Sequence, residues 1–152
     1  MLSLGGCFVS GGMMRSVIIA GSRTVSPTIE EIDAAILKLD PSGLLWVPAE
    51  WTEIVCGMAP GADLAGKAWA EARGKEVRRI PITTTLVDLW GKYMAPKMRN
   101  REMAQVADSA LIFWDGTSSG SADMCIRMVA RGKPVEVIPW PRRRKKALAP
   151  AK

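Results

Sequence analysis

The sequence predicts an α/β fold in which a mostly parallel sheet of about five strands is covered by helices on both faces, forming a three-layer sandwich. Short apolar runs alternate with segments whose apolar residues recur at helical spacing, which is typical of parallel strands linked by helices. The clearest unit is 109–137, where a strand-length apolar run, a polar turn, a helix-spaced segment and another apolar run follow one another. A chain of 152 residues, 48% of them hydrophobic, fits one domain with a substantial core, which we expect over 14–140.

The first half of this domain begins with a strand at 16–20, which is apolar on both faces and is therefore expected in the middle of the sheet. A helix at 28–39 follows, because its isoleucines and Leu39 recur on one stripe. Residues 40–52 show no clean period and predict a loop. A second strand at 53–56 then leads into a helix that ends near Arg73.

The second half contains an irregular segment in which Trp90 and Tyr93 either stack on a flat base or cover the core, and for Trp90 we expect the core. The predicted elements are, in order, a strand at 76–82, the irregular segment at 83–95, a helix at 96–107 that Pro96 begins, a strand at 110–114, a helix that ends near Arg131 and a strand at 134–138.

Both ends of the chain differ from the domain. Residues 141–152 hold six of the 21 basic residues and no acid, so the net charge of +6 belongs to this tail. We expect the tail to be disordered, and either to aid solubility or to make weak contacts with nucleic acid. Residues 1–13 lack the features of a signal peptide and are interpreted as a disordered or non-native leader, with translation starting naturally at Met13 or Met14.

Cysteine usage and hydropathy predict the compartment. Cys7, Cys56 and Cys125 are too far apart for a CxxC metal site, and an odd count gives no disulfide framework. Reduced thiols and the lack of an apolar run long enough to span a membrane predict a cytoplasmic protein without membrane contact. We expect no metal and no cofactor.

Two polar turns follow predicted strands and are the first candidates for a ligand site. One begins with Asp115 and supplies hydroxyls, glycines and a helix start, which suits phosphate or ribose. An ordinary βα loop with Ser119 or Ser121 as helix N-cap fits the same residues. The other turn places Arg23 where a bidentate contact with phosphate or carboxylate is possible, although a lone arginine after a strand is more often a surface residue. The candidate ligand-binding residues of the two turns are Gly21, Ser22, Arg23, Asp115, Gly116, Thr117, Ser118, Ser119, Gly120 and Ser121.

Two further segments supply candidate ligand-binding residues. In the turn after the second strand these are Gly57, Gly61, Ala62 and Asp63, where the glycines allow a tight turn and Asp63 binds either a ribose or the amides of its own helix start. Near Pro96 they are Arg99 and Asn100, close to the strand ends. A surface ion pair of Arg99 with Glu102 or Glu53 is the alternative for that side chain.

Taken in chain order, these four segments resemble the YspA/YpsA-related branch of the SLOG superfamily. That superfamily is similar to the DNA-processing protein DprA and to the LOG phosphoribohydrolases. The resemblance covers about residues 16–138. It implies a Rossmann-like domain that binds a nucleotide-type ligand over the carboxyl ends of the first and fourth strands. It also implies a bacterial or phage protein and a homo-oligomer, for which we expect an Ala- and Met-rich surface at 122–128.

Departures from the family pattern bear on chemistry. LOG-type enzymes carry a catalytic glutamate three residues after the Thr of a Gly-Thr pair, and the same count from Ser121 reaches Met124. Where relatives have Gly-Gly-Ala this chain has Met58 as the middle residue. The sequence has no histidine, so a reaction would depend on carboxylates, with Asp123 and Asp115 as the candidate catalytic residues.

Three functions therefore remain open. The favoured one is binding of a nucleotide or nucleotide-derived ligand without turnover, because the glutamate is replaced. The alternative is an N-glycosidic enzyme, either a phosphoribohydrolase or a nucleoside deoxyribosyltransferase. The third is nucleic-acid binding in the manner of DprA.

Overall fold

A parallel sheet of five strands runs through the part of the chain that this computed structural model describes, residues 14–141. The sheet is covered by helices on both faces, which confirms the predicted Rossmann-like α/β fold. A short 3-10 turn, Pro48–Glu50, interrupts the loop before the second strand. In chain order the elements are β1 (Ser16–Gly21), α1 (Ile29–Leu39), β2 (Glu53–Cys56), α2 (Ala62–Ala72), β3 (Glu76–Arg79), α3 (Thr84–Val106), β4 (Ser109–Trp114), α4 (Ser119–Ala130) and β5 (Val135–Pro139).

The strand order is β3-β2-β1-β4-β5, with β1 in the middle as its apolar sequence predicts. On one side β1 pairs in parallel with β2, with Val17 opposite Ile54. On the other side it pairs in parallel with β4, with Ile19 opposite Leu111. The chain therefore proceeds outward in one direction through β2 and β3, and in the other through β4 and β5. The gap between the carboxyl ends of β1 and β4 is the point of a parallel sheet where ligands bind.

Side chains that alternate along β1 enter two separate cores. Ile19 faces α1 and α2, where it packs in a cluster with Ile32 and Trp69. Ile18 faces α3 and α4 and packs in a cluster with Met103 and Met128. Burial on both faces explains why the central strands are continuous apolar runs rather than alternating ones.

A capping box fixes the start of α1. The Oγ1 atom of Thr28 accepts a hydrogen bond from the Glu31 N–H, and the Glu31 carboxylate accepts one from the Thr28 N–H at 3.0 Å. Two backbone donors that a helix leaves unpaired at its start are thus satisfied by side chains. The predicted start near Thr28 is confirmed.

The segment at 83–95 is the main error of the sequence-based prediction. It was expected to be irregular, but α3 begins at Thr84, after Thr83 as N-cap. The backbone of Gly91 leaves helical geometry, with φ 79° and ψ 163°, so α3 is two helical stretches joined at this glycine. Pro96 lies inside α3 rather than at its start, and Trp90 is 48% exposed rather than in the core.

Smaller differences concern element ends and the chain termini. β3 ends at Arg79, three residues before the predicted end of that strand. The leader at 1–13 and all but the first residue of the basic tail lie outside the described residues, so the predictions made for them remain untested. Within 14–141, no helix is long and apolar enough to cross a membrane.

Candidate functional site

A cavity of about 470 Å³ opens at the carboxyl ends of β1 and β4, between α3 and the start of α4. The structure brings most of the predicted ligand-binding residues together around it. Those that line it are Gly21, Ser22, Arg23, Asp63, Arg99, Asn100, Asp115, Thr117, Ser118, Ser119, Gly120 and Ser121. The other four predicted residues do not line the cavity, namely Gly57, Gly61, Ala62 and Gly116.

Ser22 joins the two turns that form the cavity floor. Its N–H donates a hydrogen bond to the Phe113 carbonyl at 3.0 Å, and its Oγ accepts one from the Asp115 N–H at 3.0 Å. The buried serine therefore holds the end of β1 against the end of β4. Arg23, the next residue, is exposed and lines the cavity, so its guanidinium is available to an anion there.

Asp115 organises the turn between β4 and α4. One carboxylate oxygen accepts hydrogen bonds from the Thr117 N–H at 2.9 Å and the Ser118 N–H at 3.0 Å, and the other accepts one from the Thr24 hydroxyl at 2.9 Å. The hydrogen bond from the Thr117 N–H, followed by those from Ser118 and Thr24, holds the pKa of Asp115 well below its usual value. A carboxylate in this state shapes the loop and is a poor proton donor.

Ser118, and neither Ser119 nor Ser121, is the N-cap of α4. Its Oγ accepts a hydrogen bond from the Ser121 N–H, and its carbonyl accepts one from the indole N–H of Trp114 at 2.9 Å. The helix therefore begins earlier than predicted, and Ser119 and Gly120 form its first turn at the cavity. A helix start carries partial positive charge and N–H groups without intrahelical acceptors, which suits an anion.

Gly57 is where Arg99 and Asp63 approach each other. A Cβ atom on Gly57 would lie 2.6 Å from an Arg99 guanidinium nitrogen and 2.7 Å from a carboxylate oxygen of Asp63. Only glycine leaves room for both charged groups. Arg99 donates a hydrogen bond to the Gly57 carbonyl, and Asp63 accepts one from the Ala59 N–H at 3.2 Å.

Both charged groups are nearly inaccessible, with Asp63 5% and Arg99 7% exposed. Burial raises the pKa of Asp63 above its usual value, and the neighbouring Arg99 guanidinium opposes this shift. Burial likewise lowers the pKa of Arg99, and the Asp63 carboxylate opposes that shift. The expected alternative of a surface ion pair for Arg99 is wrong, because this side chain is committed to the interior.

Gly61 is where the turn after β2 contacts the turn after β1. A Cβ atom there would lie 2.5 Å from the Arg23 carbonyl oxygen, and the φ of Gly61 is 82°. The turn after β2 can therefore pack directly on the turn after β1. Ala62 continues this contact by donating its N–H to the Ser22 carbonyl and belongs to the core.

The carboxylate of Asp123 is engaged in hydrogen bonds. It accepts one from the Asn100 amide at 3.1 Å and another from Arg127 Nε at 2.9 Å. Asn100 also donates to the Gly120 carbonyl at 3.3 Å, so this network joins α3 to the first turn of α4. Met124, only 3% exposed, lines the cavity one residue further along α4, at the position where the resemblance to LOG-type enzymes would place a glutamate.

Several cavity residues were missed by sequence reasoning. Thr24 was passed over although it directly follows Arg23, and its hydroxyl fixes Asp115. Met103 lies three and four residues after Asn100 and Arg99, so helical spacing was the available signal. Ala59 and Ile112 carry no side-chain chemistry by which they could have been found.

The arrangement can bind an anion and a polar sugar. A helix start, the Ser22 and Asp115 turns and the Arg23 guanidinium meet at one cavity, while the carboxylates of Asp115 and Asp123 are already engaged. Across 14–141, no group of three or more histidine, cysteine, aspartate or glutamate side chains could hold a metal ion.

The fold and the cavity together define a Rossmann-type parallel α/β domain with a crevice at the switch point of its sheet. No protein-family model matches the chain, and no curated protein matches it. Among solved structures, the chain is similar to DNA processing protein A (DprA) from Streptococcus pneumoniae, with a TM-score of 0.57 and 20% identity. This likeness covers 84% of the chain and 51% of DprA, so the chain spans about half the length of that protein and shares its fold.

Proposed function

We propose that this chain is a SLOG-type domain that binds a nucleotide or nucleotide-derived ligand and does not turn it over. The observation that carries the proposal is the meeting of the two β-strand turns and the α4 start at one cavity. Phosphate or ribose between Gly21 and Ser121 would receive backbone N–H groups, hydroxyls and the Arg23 guanidinium together.

The side chains at the cavity support the proposal that the ligand is not turned over. Met124 offers a thioether where the related enzymes use a glutamate, and a thioether neither attacks an anomeric carbon nor transfers a proton. Asp115 and Asp123 are the remaining candidates for an N-glycosidic enzyme. Their hydrogen bonds to the turn and to Asn100 and Arg127 favour structural roles for both.

A thermal-shift screen of nucleotides and cyclic nucleotides tests the binding proposal, because a ligand that binds only the folded state raises the melting temperature. We expect at least one nucleotide to stabilise the wild type. Arg23→Ala should make the binding free energy of that ligand less favourable by about 1.5 to 3 kcal/mol, because a charge-assisted hydrogen bond is lost.

Arg101→Ala is the matched control, since Arg101 is an exposed arginine that does not line the cavity. It should bind the ligand as the wild type does. If both variants lost the same amount of ligand affinity, the ligand would be attracted by the positive charge of the protein as a whole rather than by the cavity.

The fold likeness to DNA processing protein A favours nucleic-acid binding as the second candidate function. Binding carried by the basic residues of 141–152 would fall steeply with salt and would disappear on deletion of that segment. Binding at the cavity would survive the deletion and would be lost in Arg23→Ala.

A further inference from the structure

We propose that Tyr93 forms a base-stacking platform at the mouth of the cavity, so that the ligand is a nucleotide held by its phosphate at the turns and by its base at Tyr93. This inference rests on the proposed function and names the part of the ligand that the turns leave unrecognised. It also gives a role to an exposed aromatic residue that the core does not use.

The position of Tyr93 follows from the helical face that lines the cavity. Pro96, Arg99, Asn100 and Met103 all line it, and their spacing of three and four residues places them on one face of α3. Tyr93 precedes Pro96 by three residues and Asn100 by seven, within the helical stretch that follows Gly91. It therefore extends the same face on the Asn100 side, about 10 Å further along the helix axis.

Exposure along this face increases toward Tyr93. Met103 is 1% exposed and Asn100 7%, whereas Tyr93 is 84% exposed. Because α3 leads into the amino end of β4, its earlier residues lie toward the carboxyl edge of the parallel sheet, where the cavity opens. Tyr93 thus lies on the open side of the cavity, beyond the buried polar residues.

The chemistry of the ring suits a base. The Lys92 ammonium lies 5.8 Å from the ring centre, a cation–π distance, and the high exposure leaves ring surface open to a ligand. An aromatic ring stacks on any nucleobase, because every base has a π face. The cavity volume is within the range of small-ligand sites, so we commit to a free nucleotide rather than a long strand.

The test compares ligands with and without a base. Calorimetric titration with the four nucleoside 5′-monophosphates and with ribose 5-phosphate is done on the full chain and on Tyr93→Ala. We expect the wild type to bind at least one nucleotide about tenfold more tightly than ribose 5-phosphate. Tyr93→Ala should lose that preference and keep its affinity for ribose 5-phosphate.

Two controls accompany the variant. Tyr93→Phe keeps a ring and should keep the preference, whereas Leu89→Ala removes another exposed apolar side chain of α3 and should have no effect. If Tyr93→Ala retains the wild-type preference, or if the wild type has none, the platform is wrong and the phosphate site stands. If the wild type binds neither the nucleotides nor ribose 5-phosphate, the proposed function fails and the platform with it.

Discussion

Asp115 fixes the shape of the turn between β4 and α4, and both its side chain and its N–H are used for this purpose. Its carboxylate accepts hydrogen bonds from Thr117, Ser118 and Thr24, and its N–H donates to Ser22. These hydrogen bonds therefore hold the loops after β1 and β4 in one geometry. The same hydrogen bonds stabilise the charged form, and this makes the stability of the fold depend on pH.

The Asp115→Asn variant tests this role. Since the folded pKa of Asp115 lies below its ordinary value of 3.8, its charged form stabilises the fold above about that pH, and this stabilisation is lost as pH falls through the folded value. Urea unfolding should show a wild type more stable than Asp115→Asn at pH 7, with the difference shrinking below pH 3.8.

Asp88→Asn is the control for loss of one negative charge, because Asp88 is exposed on α3 away from the cavity lining. It should change stability little at either pH. A gap between the wild type and Asp115→Asn that stays constant from pH 7 to acid would contradict the role given to the carboxylate.

The residue scale also shows where the sequence was informative. Serines, glycines and an aspartate directly after strands predicted the turns, because parallel strands bring their carboxyl ends to one edge. The burial of Arg99 beside Gly57 and Asp63 was not predictable, because it depends on how α3 crosses the turn after β2. No local pattern encodes such a long-range approach of two charges.

At the scale of elements, the turn between β2 and α2 contains a strained residue. Met58 has φ 64°, and it is the one residue other than glycine in 14–141 with positive φ. In the family that the sequence resembles, glycine is the usual residue at this position. Met58 lies outside the cavity lining, so its side chain leaves the cavity open and the conformation of the turn is what the substitution affects.

Comparing Met58→Gly with Met58→Ala isolates the strain, because both variants lose the thioether. At an ordinary backbone position glycine is less stable than alanine, but at positive φ alanine carries a cost of roughly 1 to 2 kcal/mol. We expect Met58→Gly to be more stable than Met58→Ala by about 1 kcal/mol in chemical denaturation. A more stable Met58→Ala would mean that the turn relaxes to negative φ.

The helix α3 is the element that the sequence predicted least well. Its first stretch buries little apolar surface, since Leu89 and Trp90 are exposed, and no stripe of apolar residues reveals its period. Pro96 was taken as a helix start, yet α3 already begins at Thr84, resumes after the non-helical Gly91 and contains Pro96. The other helices bury a face against the sheet, and their spacing predicted them correctly.

At the scale of the whole molecule, the topology decides where the site lies. The sheet grows in opposite directions from β1, so the turns after β1 and β4 have no crossing connection between them and leave a crevice. Polar residues from distant parts of the sequence converge there because each follows a strand or begins a helix. The sequence predicted this convergence. It did not predict that Met103 and Met124 would line the cavity, which only the structure shows.

Assembly into a homo-oligomer stays a prediction, but the surface expected to form the contact differs from the one that the structure exposes. Met124 and Met128, expected on the surface at 122–128, are buried against the sheet. Helix α4 instead exposes Ile126 and Val129, at 67% and 65%. Any contact through this helix would use those two side chains.

Binding of a nucleotide and release of its base can be measured on the same sample. The wild type is titrated calorimetrically with the nucleoside 5′-monophosphate that stabilises it most, and the same sample is then analysed by chromatography for free base. We expect saturable binding and complete recovery of the intact nucleotide, because the Met124 thioether lines the cavity and the carboxylates of Asp115 and Asp123 are held in hydrogen bonds. Free base that accumulates with time and protein concentration, and that disappears in Asp123→Asn, would show that the chain cleaves the N-glycosidic bond and uses Asp123 to do so.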